Sequence, residues 1–155
     1  MMAMLKKLKA MLSGDTASQP QSDSFEDKQI ATAVLLAEAA ASDEGFGDAE
    51  QQTILNALKR HFSLDDETAD KLATLGRENQ AQAIELFSFT RTIKEAYDYD
   101  ARVEMVEMLW EVVLADGVLH AYEDQLLRRI GGLLYVEDRD RGEARQRVLD
   151  RMNNK

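Results

Sequence analysis

The stretch Leu114-Ala115-Asp116-Gly117-Val118-Leu119-His120-Ala121-Tyr122-Glu123-Asp124-Gln125-Leu126-Leu127 decides the fold. It reads as the end of one helix, a tight loop and the start of the next. Before it, Val103, Val106, Trp110 and Val113 recur at helical spacing; after it, Leu126, Ile130 and Leu133 do the same. The pattern also occurs 73 residues earlier, with no gap. Glu38 falls on Glu111, Asp43 on Asp116, Glu50 on Glu123 and Gln52 on Gln125. Apolar positions follow: Leu36 on Leu109, Ala41 on Leu114, Phe46 on Leu119 and Ile54 on Leu127. Each copy is a helix, an Asp, six intervening residues, then a Glu that opens the next helix. A repeated helix–loop–helix predicts two halves packed about a pseudo-twofold.

Apolar periodicity is helical almost everywhere from Phe25 onward. Ile30, Val34, Ala37 and Ala41 predict a helix over 26–42. Ile54, Leu55, Leu58 and Phe62 predict a second over 48–62, with Asp48 in the N-cap place. Ser63, followed by Asp66 and Glu67, opens a third over 64–76, with Gly76 near its end. Ile84, Phe87 and Ile93 give a fourth over 79–96, its apolar face widened by Leu86 and Phe89. The fifth and sixth cover 99–115 and 121–134. Ala144, Val148 and Met152 give a seventh over 138–152. No alternating run with turn signals argues for a strand. Short connections between such helices predict an all-α compact bundle of about seven helices.

Residues 13–24 hold the only proline and no large apolar side chain, which reads as a flexible linker. The chain therefore divides into an N-terminal segment and linker, 1–24, and a helical domain, 25–155. Within residues 1–12, Leu5, Leu8 and Leu12 share a face flanked by Lys6, Lys7 and Lys9. This amphipathic pattern suits either an extra helix packed on the domain or a weak contact with a membrane surface. It lacks the continuous apolar core of a secretory signal, and no stretch approaches the roughly 20 apolar residues of a membrane span.

The 155 residues are 45% hydrophobic and 31% charged, enough to bury a real core. There is no cysteine, which excludes disulfides, thiolate metal sites and cysteine nucleophiles. Only two histidines occur, His61 and His120, which excludes H-E-x-x-H zinc chemistry. The net charge is −10, and residues 25–126 carry 22 acids against 8 bases. Such a body repels a phosphate backbone, so no nucleic acid partner is expected; cations and basic protein surfaces are favoured. The C-terminal arginines Arg139, Arg141, Arg145, Arg147 and Arg151 alternate with Asp140, Glu143 and Asp150. They read as a salt-bridged face, with Glu143→Arg147 as an i,i+4 pair.

The four carboxylates Asp43, Glu50, Asp116 and Glu123 are the candidate site. A tight loop brings each Asp towards its Glu, and two facing halves would bring all four together. Oxygen-only donors suit the hard cations Ca2+ and Mg2+, or Mn2+. The loops are not EF-hands, which need Asp-x-Asp/Asn-x-Asp/Asn-Gly and a Glu at position 12. Helix capping explains the same residues equally simply, since a carboxylate at a helix N-terminus accepts free N–H groups and complements the dipole. Both readings stand at this point.

Motifs for organic cofactors and nucleophilic enzymes are absent: no Walker A, no G-x-S-x-G, and Gly45-Phe46-Gly47 is followed by Glu50 rather than a third glycine. His120, in the second acidic loop, reads either as a pH-sensitive ligand or as the cap of a helix. His61 reads as structural, a partly charged imidazole near a helix C-terminus. Trp110 lies on the apolar stripe of the fifth helix and reads as core. Tyr97 and Tyr99, interleaved with Asp98 and Asp100, mark the turn before that helix.

The second copy, with its weaker echo Ala41-Ser42-Asp43-Glu44-Gly45-Phe46-Gly47-Asp48-Ala49-Glu50, resembles the TerB-like tellurite-resistance family over roughly residues 25–150. The second copy follows the family's Ala-Asp-Gly-apolar-x-x-x-Glu pattern; the first has Glu44 in the glycine place and Gly45 after it. The resemblance implies an all-α fold whose inward-facing acidic loops take a divalent metal, through Asp43, Glu50, Asp116 and Glu123 here. It implies a non-enzymatic binding or scaffold domain with a protein partner, in a bacterial stress system of the cytoplasm or the inner membrane face. Two alternatives accompany it: a metal-dependent hydrolase built on the acidic loops, and a peripheral membrane adaptor acting through residues 1–12.

Overall fold

The computed structural model describes residues 25–41, 47–117 and 119–154. The amphipathic segment and linker, with the membrane contact expected of them, lie outside the described residues, as does Asp43. Seven helices follow one another: α1 (Asp27–Ala40), α2 (Asp48–Phe62), α3 (Asp66–Gln82), α4 (Phe87–Ala96), α5 (Tyr99–Val113), α6 (Ala121–Leu133) and α7 (Asp138–Asn153). The described residues contain no strand. The all-α bundle expected from the periodicity is what forms.

Two helices make its centre. In α1, nine residues are buried, among them Ala31, Ala33, Val34, Leu35, Leu36 and Ala39. A helix apolar on so much of its surface must be covered on most sides, and α1 packs against α2, α3, α4, α5 and α6. In α5, Met105, Val106, Met108, Leu109, Trp110, Val112 and Val113 are buried, and α5 packs chiefly on α7 and α1. The Trp110 indole is fully enclosed and donates from Nε1 to the Arg141 carbonyl at 3.1 Å. Its N–H would otherwise be a buried orphan donor. A shift of 73 residues carries α1 onto α5, α2 onto α6 and α3 onto α7, to within two residues at either end. It also carries the dominant α1–α3 contact onto the α5–α7 contact. The correspondence is one of helix spans and packing partners.

Local chemistry fixes the helix starts. Asp65 caps α3 by accepting the Thr68 N–H at 2.8 Å, and Asp98 caps α5 through Ala101 N–H at 3.0 Å. The caps of α2 and α3 differ from the sequence expectation. Gly47, not Asp48, is the N-cap of α2, and Ser63 ends α2 in a left-handed conformation (φ 56°) rather than starting α3.

Three further expectations are corrected. Gly76 does not end α3; the helix runs on to Gln82, with Gly76 buried in its middle. A Cβ there would lie 2.4 Å from the Ala33 Cβ and under 3 Å from the Ala33 backbone. The glycine therefore permits a close α1–α3 crossing. Residues 79–82 belong to α3 and 83–86 to a turn, so α4 is shorter than its expected span. Ile84 is 99% exposed and Phe87 52%, while Leu86, Phe89, Thr90 and Ile93 face inward. Arg147 pairs not with Glu143 but across helices with Glu107 at 3.3 Å, while Glu143 pairs with Arg139 at 3.7 Å. Arg151 binds Glu107 and Glu111 at 2.7 and 2.8 Å, and Arg60 binds Glu111 at 2.9 Å. The arginine-rich α7 thus spends part of its charge on the mostly covered carboxylates of α5, as a salt-bridged face does.

Candidate functional site: the acidic ends of α2 and α6

The candidate residues sit where two helices begin. Glu50 and Glu123 are each the third residue of their helix, three beyond the N-caps Gly47 and His120. Asp116 lies in the turn between α5 and α6, next to Gly117, whose φ of +83° favours a residue without Cβ. That glycine lets the chain reverse within a few residues and carry Asp116 towards the start of α6.

Glu123 is the most enclosed of the described three, with 9% of the residue exposed. Its Oε1 accepts the His120 backbone N–H at 3.0 Å. The His120 side chain faces the Glu123 backbone N–H in return, which completes a capping box. The His120 ring also stacks on Tyr122, centroids 5.9 Å apart. His120 is therefore a helix cap, the structural member of its two readings.

Capping does not exhaust the electrostatics of Glu123. Burial pushes its carboxyl above the usual glutamate range, against the hydrogen bond and the attraction of His120. The charges of Asp116 and Glu50 push it the same way. Glu50 starts a helix 73 residues away in sequence, so the fold has brought both acidic helix starts within electrostatic range. The Glu50 carboxylate folds back over Gly47: a Cβ on that glycine would meet Glu50 Oε1 at 2.3 Å.

The structure thus associates Glu50, Asp116 and Glu123; the fourth expected member, Asp43, is outside the described residues. Among the described residues no three carboxylate or imidazole groups form a ready-made cation cluster. The donor type suits a hard cation, and the mutual repulsion at Glu123 is the imbalance that a cation would relieve.

The repeated pair Glu38 and Glu111 does other work. Glu38 accepts from Gln80 Nε2 at 2.9 Å, and Glu111 holds Arg60 and Arg151. His61 stacks edge-on against Phe62 and lies 5.9 Å from the Tyr97 ring. Burial lowers its pKa, with Glu104 opposing, so the partly charged imidazole expected at that helix end is disfavoured. The acid–arginine network across α2, α5 and α7 was not legible in the sequence. Its one signal was Glu107 and Glu111 at i,i+4 on a helix that is otherwise largely apolar.

A family model described as tellurite resistance protein TerB matches residues 29–146. No curated protein and no solved structure matches the chain. Among the described residues no helix is long and apolar enough to cross a membrane.

Proposed function

Because the chain belongs to the TerB family of tellurite resistance proteins, we propose that it is a non-enzymatic binding domain whose acidic end takes a divalent cation. The observation that carries the reading is the state of Glu123: mostly buried, raised by desolvation, and repelled by Asp116 and by Glu50 from the other half of the chain. Glu50, Asp116 and Glu123, with Asp43, would supply the oxygen donors. A Ca2+, Mg2+ or Mn2+ ion would supply the positive charge that their mutual repulsion lacks. The chain's own residues set the rest. His120 holds Glu123 by its backbone N–H, and Gly117 turns the loop that carries Asp116.

The test is thermal unfolding with chelator, Ca2+, Mg2+ or Mn2+ at constant ionic strength, on wild type and on Asp116→Asn. A ligand at a hundred times its Kd stabilises by about 2.7 kcal/mol, which is visible as a shift in Tm. A saturating shift in wild type that Asp116→Asn loses supports the site. Equal responses in the two proteins assign the effect to diffuse neutralisation of an acidic body and reject it.

A further inference from the structure

Residues 1–12 carry a motif that neither the fold nor the cation reading absorbs, and they lie outside the family match at 29–146. At 3.6 residues per turn, Met4, Leu5, Leu8, Met11 and Leu12 fall within about a third of a helix circumference. Lys7 and Lys9 fall on the two flanks of that arc and Lys6 opposite it, and the segment holds no Asp or Glu. Large apolar side chains along one side with cations at both edges make the pattern of a helix that lies in a membrane interface. The lysine stems cover the apolar edge while their ammonium groups reach the headgroups. At 1.5 Å per residue such a helix is roughly 18 Å long, well short of a hydrocarbon core of about 30 Å, so it suits a bilayer surface and not a crossing.

The domain offers that apolar face little to rest on. Among the described residues the exposed large apolar side chains are Ile84, Phe87, Tyr122 and Tyr135. Two of these have neighbours already: the His120 ring stacks on Tyr122 at 5.9 Å, and the Lys94 ammonium lies 3.9 Å from the centre of the Tyr135 ring. Ile84 and Phe87 remain, against the five large side chains of the arc. Charge separates the two parts of the chain as well. Residues 1–12 carry +3, whereas residues 25–155 hold 27 acids and 16 bases, a net −11. An anionic surface attracts the first and repels the second. The opposite charges of arm and domain attract each other too, but pairs between exposed groups are weak and leave the apolar arc uncovered. The chain enters the domain at Phe25, packed against the core, and at Glu26, whose capping box with Gln29 fixes the start of α1. Residues 13–24 come between. A polar stretch of that length has an average reach of roughly 20 Å, more than two Debye lengths at physiological salt. Lysines seated on an anionic surface therefore leave the acidic domain room to stand where that surface charge is screened.

We propose that residues 1–12 hold this chain on an anionic lipid surface, as a helix in the headgroup layer with Met4, Leu5, Leu8, Met11 and Leu12 inserted and the lysines on the lipid charge. A lysine near such a surface strengthens binding roughly fivefold, so the three together give roughly a hundredfold preference for anionic over neutral lipid. The arm shares no residue with Glu50, Asp116 and Glu123, so it stands or falls independently of the cation reading.

The experiment is co-sedimentation of the full chain with vesicles of phosphatidylcholine alone or with about one-third phosphatidylglycerol, at fixed ionic strength. Chelator is present throughout, so that no divalent cation bridges the acidic domain to the lipid. Saturable binding to the anionic vesicles, at least tenfold tighter than to the neutral ones, is the expected result. Changing Lys6, Lys7 and Lys9 together to Glu should weaken it at least tenfold. So should Leu5→Ser with Leu8→Ser, which leaves the charge alone. Changing Arg91, Arg128 and Arg139 together to Glu makes the same change of charge at exposed i,i+4 pairs of the domain and should leave binding within threefold. Circular dichroism and Trp110 emission verify that each variant is folded. No binding to anionic vesicles, equal binding to both kinds, indifference to either arm variant, or an equal loss in the domain variant overturns the proposal. So does a Tm several degrees lower for Leu5→Ser with Leu8→Ser in the absence of vesicles, which would give the apolar arc to the domain.

Discussion

The Glu123 carboxylate accepts the backbone N–H of His120 at 3.0 Å while burial, Asp116 and Glu50 all oppose its ionisation. One side chain is thus both a helix cap that the fold needs and a charge that the fold resists. Substitutions separate the two roles. Glutamine can close a capping box as glutamate does, so Glu123→Gln keeps the cap and removes the charge. Urea unfolding without divalent cation should show the variant at least as stable as wild type. Glu123→Ala loses the cap and should cost about 0.5–2 kcal/mol.

The pH dependence follows with a definite sign. Glu123 has a folded pKa above its unfolded value, so the folded state binds the proton more tightly. Its ionisation penalty is complete above the folded pKa. The penalty shrinks as pH falls through that value and vanishes below the unfolded pKa, near 4.3. The stability difference between Glu123→Gln and wild type should therefore be largest near neutral pH and narrow on acidification. Asp65 behaves oppositely. Its hydrogen bonds to Thr68 lower its pKa, so its contribution is present above its unfolded pKa and lost as pH falls through the folded one. Paired urea titrations of wild type and Glu123→Gln from pH 7 to pH 4 measure the difference; a gap that widens on acidification contradicts the assignment.

Gly76→Ala tests the α1–α3 crossing. In an open helix the change would gain about 1 kcal/mol. Here the new Cβ meets the Ala33 Cβ at 2.4 Å and its carbonyl carbon at 2.7 Å. Backbone cannot step aside as a flexible side chain can, and overpacking of this kind costs about 1–3 kcal/mol. The net expectation is a loss, read as a Tm several degrees lower.

Ser63→Gly tests the end of α2 in the other direction. Ser63 holds φ 56° as the C-cap, with its backbone N–H bonded to the Lys59 carbonyl. Glycine reaches that region without a Cβ clash and is the usual residue at such helix ends. A gain of about 0.5–1 kcal/mol in urea unfolding is expected, with the Trp110 emission of the folded state unchanged.

Trp110→Phe removes the one indole N–H and leaves the Arg141 carbonyl without that donor. Loss of packing area and of this one buried hydrogen bond should together cost about 1–3 kcal/mol. The wild-type indole is 1% exposed, so its emission should be that of a buried tryptophan and should shift red only on unfolding.

Which segments are helices, and where most of them begin and end, was legible in the order of residues alone. Apolar spacing is a local property of the chain, and α2, α5, α6 and α7 start where that spacing, with its neighbouring Asp and Glu, places them. It also determined that Trp110 is core and that Glu50 and Glu123 open their helices, because both follow from position along a helix. Tertiary structure decided what depends on a neighbour from elsewhere in the chain. Gly76 read as a helix stop, since glycine is a poor helix former, until the nearness of Ala33 gave it a reason to sit mid-helix. Ile84 and Phe87 read as a buried stripe; the turn at 83–86 breaks the helix, and α4 turns its other side to the core. Arg147 chose Glu107 over Glu143 because a partly covered carboxylate on a packed helix lies in reach, which an i,i+4 count cannot register. The repulsion that Glu50 exerts on Glu123 is likewise a matter of distance in space. A repeat can pair residues along the chain, but only the fold that brings Glu50 within electrostatic range of Glu123 makes their charges feel one another.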